Sequence, residues 1–104
     1  MSNDNELVYI NVNFDRESNT VVNKVITKRK VKLVGDEYTV DAWDVPVDRL
    51  GKSFGIFGDS LYRSIYLLNP SKKQIVESIE QCKKELKDIL INEIEYRLNI
   101  LKQF

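Results

Sequence analysis

Residues Ser71 to Phe104 read SKKQIVESIEQCKKELKDILINEIEYRLNILKQF, a run with no glycine and no proline. All four glycines and both prolines lie between Gly35 and Pro70, so the helix breakers stop where this run starts. Ser71 with Gln74 three residues on matches a capping box, and Pro70 and Ile75 are placed to form the staple around it. Ile75, Ile79, Cys82, Leu86, Leu90, Ile94, Leu98 and Leu101 then form one stripe. Its mean spacing of about 3.7 residues is nearer a straight helix than a heptad coil. Glu80–Lys84 and Glu93–Arg97 stand at i,i+4 on the wet side. The run predicts one helix of about 33 residues, roughly 50 Å long.

The rest of the chain, about 70 residues, should form a body roughly 25–30 Å across. A helix that outruns its own domain implies a partner. Up to Asp88 the apolar residues keep to the stripe, but from Ile89 onward they occupy nearly every side. A helix that is apolar all round must be buried all round. Ile89, Ile91, Ile94, Tyr96, Leu98, Ile100, Leu101 and Phe104 are therefore the expected oligomer interface, most simply between two copies about a two-fold axis. The competing arrangement is a kink near Asn92 that folds the last turns back on the same chain.

Working back from the helix, the chain reads as strands. Val8, Ile10, Val12 and Phe14 alternate with Tyr9, Asn11 and Asn13, the period of a half-buried strand. After a polar turn from Asp15 to Asn19, a second long strand runs from about Val21 to Val34. Gly35-Asp36 is a two-residue hairpin signal that sets a register. Val34 falls opposite Glu37, Leu33 opposite Tyr38, Lys32 opposite Thr39, Val31 opposite Val40, Lys30 opposite Asp41 and Lys28 opposite Trp43. Gly58-Asp59 predicts a second hairpin, with Gly55 opposite Tyr62. Residues 60–68 read as a strand or as a short helix capped by Asp59. The strand is favoured because Tyr62, Ile65 and Tyr66 suit a pleated surface and Asn69 precedes a proline.

The expected fold is α+β: an antiparallel β-meander of four to five strands packed against one long C-terminal helix. One domain spans residues 1–104, with a polar tail at 1–6, the sheet at 7–68 and the helix at 70–104.

Composition excludes most enzyme chemistry. With no histidine and one cysteine there is no His-assisted nucleophile, no multi-thiolate zinc site and no redox thiol pair. Cys82 sits on the apolar stripe as a small hydrophobe. Gly51-Lys52-Ser53 resembles the end of a phosphate loop, but Pro46 stands where that motif needs glycine. Asp41, Asp44 and Asp48 are the one carboxylate cluster that could hold Mg²⁺, but Asp41 is the expected partner of Lys30 and the other two flank Pro46 in an edge loop where acids serve solubility, so no metal and no cofactor is expected. The protein is read as a non-enzyme. A polar acidic N-terminus and no long apolar stretch imply no membrane and a cytoplasmic location.

Three further surfaces are candidates. Lys28, Arg29, Lys30 and Lys32 with Trp43 could form a basic ribbon for nucleic acid, although sixteen acids balance sixteen bases overall. The acids Asp36, Glu37, Asp41 and Asp44 on the adjoining strand would also dilute it. Leu50 and Phe54 lie in an apolar loop that either folds over the sheet or contacts a partner. Ser71, Lys72 and Lys73 gather at a helix N-terminus as a possible anion site, against two lysines simply pointing into water. The function expected is a small binding protein that self-associates through its helix and engages an unidentified protein. Size and missing catalytic groups fit a phage or mobile-element accessory protein modulating a host factor. The alternative is a nucleic-acid-binding accessory protein.

Overall fold

The computed structural model describes residues 5–40, 43–55 and 61–104. Strand β1 (Asn5–Asp15) is followed by β2 (Thr20–Val34), β3 (Glu37–Val40) and β4 (Trp43–Pro46). A 3-10 turn (Val47–Arg49), β5 (Tyr62–Leu68) and helix α1 (Lys72–Leu101) complete the chain. All pairings are antiparallel, in the order β4-β3-β2-β1-β5. The first four strands form a meander, and β5 crosses to the free side of β1. The α+β expectation holds, and residues 62–68 are strand rather than helix.

Alternation along β1 sorts its side chains. Val8, Ile10 and Val12 are buried on one face, with Phe14 partly buried beyond them. There α1 lays Cys82 and Leu86 on Val12, Leu61 and Ile65, with Ile79, Ile89 and Leu90 at the margin. On the other face Leu7, Val31 and Val45 form a second core, joined by Tyr38, Leu50, Tyr66 and Leu68. Val45 lies on one edge strand and Leu68 on the other, so the sheet curls until its two edges share a core. Burial on both faces makes β1 the centre of the molecule.

The Gly35-Asp36 turn sets the expected register for Val34–Glu37, Leu33–Tyr38 and Lys32–Thr39. Gly35 has φ 63°, in the left-handed region that glycine enters without penalty. Beyond Thr39 the expectation needs correction. The chain reverses after Val40, and Trp43 pairs with Val40 instead of Lys28. Lys28 lies opposite Leu7 on β1. This reversal brings Val45 under Tyr38 and into the second core, burial that a single long strand could not provide. Asp41, proposed opposite Lys30, lies outside the described residues, as does the Gly58-Asp59 turn.

Two smaller corrections concern the ends of pairing. Asn5 and Glu6 belong to β1 rather than to a tail. Near them Asn5 pairs with Val31 and Glu6 with Arg29, so β2 carries one extra residue there. Such a bulge bends a strand, and past it β2 leaves β1 for β3. Further along, Phe54 bridges Ser64, so Gly55 does not sit squarely opposite Tyr62.

The helix is unbroken from Lys72 to Leu101, which removes the kink near Asn92. Its capping box is complete: the Gln74 N–H donates to the Ser71 Oγ at 3.1 Å and the Ser71 N–H donates to the Gln74 Oε1 at 2.8 Å. Thirty residues of helix beside so small a sheet give a body of 66 × 26 × 21 Å. Among the described residues no helix is long and apolar enough to cross a membrane.

Candidate functional site

At 100° per residue, Cys82, Leu86, Ile89, Glu93, Tyr96 and Ile100 lie along one side of α1. Among the described residues, those of α1 packed on the sheet core reach as far as Ile89 and Leu90. Ile89 is thus part of the intramolecular core, a correction to its place in the expected interface. Beyond it the same line continues through Glu93, Tyr96 and Ile100, which among the described residues take no part in that core. A second line, Ile91, Ile94, Leu98 and Leu101, has the 3-4-3 spacing by which helices mesh with one another. All of Ile91, Ile94, Tyr96, Leu98, Ile100 and Leu101 are exposed, Tyr96 by 67% and Leu101 by 64%, and Phe104 is 99% exposed.

The overhang is flanked by two features. A groove between the β1–β2 turn and the helix is lined by Phe14, Arg16, Asn19, Leu90, Ile94 and Arg97. A shallow, almost wholly apolar depression follows it, formed by Tyr96, Ile100 and Leu101 beside Glu93 and Arg97. The Arg97 Nη2 donates to the Glu93 Oε1 at 3.0 Å, the i,i+4 pair expected from sequence. Glu80, by contrast, pairs with Lys83 at 3.8 Å instead of Lys84.

Helix α1 is held to the sheet by a polar cluster that the sequence reading did not identify. The Arg63 Nη2 donates to the Glu85 Oε1 and to the Ser53 Oγ, both at 2.9 Å, and the Ser53 hydroxyl also donates to Glu85. The side chains are only 17% and 27% exposed for Arg63 and Glu85. Partial burial raises the Glu85 carboxyl pKa, but hydrogen bonds from Ser53 and Arg63 outweigh it and hold the group below its ordinary value. A signal was present: Arg63 interrupts the apolar alternation of Leu61, Ile65 and Leu67, and an arginine on a core-facing position requires an acid.

The other candidate residues are dispersed. Lys28 is on the face of β2 away from the helix, whereas the bulge and alternation put Arg29 and Lys32 on the helix side. Arg29 stands 3.7 Å from Glu6. The side chains of Lys30 and Trp43 lie outside the described residues. The lysines of β2 thus do not line one ribbon. Leu50 packs in the second core and Phe54 stacks on Tyr66, centroids 5.6 Å apart, with the Arg49 guanidinium 5.2 Å from its ring centre. This apolar loop folds over its own sheet. At the helix start the Ser71 hydroxyl is taken by the Gln74 N–H, and Lys73 turns along the helix to within 3.8 Å of Glu77. Those groups do not converge.

Cys82 is fully buried, and burial pushes its thiol up to about 11, a packed side chain and not a nucleophile. Comparison with protein-family models, curated proteins and solved structures finds no match.

Proposed function

We propose that this is a small non-catalytic binding protein that self-associates through the overhanging end of α1 and acts by engaging another protein. What supports it is the line of Ile91, Ile94, Leu98 and Leu101 exposed past the last helix residues packed on the sheet. Contiguous apolar surface of that kind marks an interaction site on a soluble protein. Burying a half-exposed Ile or Leu is worth about 1 kcal/mol.

A protein engaged by the assembled form fits a chain whose polar chemistry is spent on its own fold. An accessory protein of a phage or mobile element is the class this suggests. Hydrogen exchange tests the self-association directly, because amides of an isolated helix end open freely while those of a packed one are protected. Amides of residues 91–101 should gain protection as concentration rises, while those of 75–86 stay constant. Equal exchange of residues 91–101 at all concentrations would contradict the proposal.

A further inference from the structure

Among the described residues, the outer edge of β2 carries a partner strand only at its C-terminal end. Ser64 exchanges both of its backbone hydrogen bonds with Phe54, on the side of β5 away from β1. In an antiparallel pair such a residue cannot also bond the strand on its other side. Asn11, opposite Ser64, therefore directs its N–H and C=O at Lys24 on β2. Alternation then makes Val21, Asn23, Val25 and Thr27 the residues whose N–H and C=O point away from β1. Among the described residues, β3 covers β2 only at Lys32 to Val34, and no strand covers residues 20–29. Val21, Val22, Asn23, Lys24 and Val25 are all exposed, and this stretch has no proline and no bulge. A long exposed apolar edge of that kind is a template for another strand.

Helix α1 packs on β1 and β5, while side chains on the same face of β2 remain exposed. Val21 and Val25 emerge there, 50% and 44% exposed. Glu85 reaches Ser53 and Arg63 on the β5 side, and nine residues on, half a turn round, Ile94 looks towards the β1–β2 hairpin.

We infer that the β2 edge pairs with the β2 edge of a second copy, antiparallel and centred on Val25. The occupant is argued from self-complementarity. Two antiparallel copies of one strand are related by a two-fold axis normal to the sheet, so only residues on the same face can lie opposite. Centring on Lys24 puts Lys24 opposite itself, and centring on Ile26 puts Lys24 opposite Lys28, both like-charge pairs that destabilise a ladder. Centring on Asn23 avoids those clashes but pairs only residues 20–26 within β2. Centring on Val25 pairs residues 21–29: Val25 meets Val25, Asn23 meets Thr27, Lys24 meets Ile26 and Lys28 meets Val22. Both helices then lie on one face of a continuous sheet, with Val25 of each copy covered between them. This contact uses none of the helix-end residues and stands independently of them.

Cysteine cross-linking of Val25→Cys under mild oxidant at pH 8 tests it. Paired copies place the two Cα atoms about 5.5 Å apart, within disulfide reach. The native Cys82, buried and with its thiol raised to about 11, stays silent. Cross-linking should run at least about tenfold faster than for Lys52→Cys, an exposed loop control, because pairing raises effective concentration. It should also outpace Asn23→Cys, whose copies lie roughly 13 Å apart in this register. Val25→Pro gives a second reading, since the N–H it removes points outward and its pairing with β1 is spared. In an Ile91→Glu, Ile100→Glu background, Val25→Pro should keep its strand signal in circular dichroism while its mass by light scattering falls to that of a monomer. Val25→Cys rates no faster than the control, or an unchanged mass in the proline variant, would overturn the inference. Either result leaves the helix-end contact to its own test.

Discussion

Gly55 lies so close to the backbone of Tyr62 that a Cβ at this position would collide with the Tyr62 carbonyl oxygen. Backbone cannot swing aside as a side chain can, so the bridge from Phe54 to Ser64 has to give. Gly55→Ala should therefore cost about 1–3 kcal/mol and lower the Tm by at least about 4 °C; a Tm within error of the parent would contradict this contact. Glu85 supplies a pH-dependent counterpart. Its folded pKa is depressed by Ser53 and Arg63, so its contribution to stability is present above the ordinary carboxylate value of 4.5. That contribution is lost as pH falls through the folded pKa. Denaturant unfolding from pH 7 down to pH 3 should show Glu85→Gln less stable than the parent at pH 7, with the gap closing towards pH 3. A gap that stays constant with pH would show that the carboxylate charge is not what holds α1 to β5.

At the scale of elements, α1 owes its start to the reciprocal Ser71–Gln74 cap. Ser71→Ala should cost about 1 kcal/mol, read as a shift in the denaturant midpoint with unchanged m-value; no shift would mean that packing alone sets the start. This element was the most legible in the sequence, because a long 3.7-residue stripe without glycine or proline admits one solution. The Gly35 hairpin was legible for a related reason, since a two-residue turn fixes register and β2 alternation agrees with it. Strand β4 was not. Four residues carry too little pattern to reveal that the chain turns back after Val40, so Trp43 was set opposite Lys28. Leu50 and Phe54 could be placed only once Tyr66, Leu68 and Val45 were known to share a core, a contact between opposite edges of a curled sheet. The exposed helix end could be read from the widening of its apolar pattern, but which residues pack intramolecularly could not. Ile89 proved to be the boundary.

For the molecule as a whole, the governing fact is the mismatch between a 30-residue helix and the short sheet beneath it. Equal numbers of acidic and basic side chains mean that copies approach one another without net repulsion. The proposed two-fold contacts at the helix end and along β2 use separate surfaces, and together they would build assemblies larger than a dimer. Both contacts would bury apolar side chains that are exposed in the single chain, at Val21 and Val25 on the sheet and from Ile91 to Phe104 on the helix. The central claim, association through the end of α1, is tested most directly by static light scattering on the parent protein and on Ile91→Glu and Ile100→Glu, at concentrations on the order of tens of micromolar. The account predicts a parent mass well above the 12.2 kDa of one chain, and a clearly smaller mass in each variant with helix content retained. A parent that scatters as a 12.2 kDa monomer, or a mass that neither substitution changes, would contradict it.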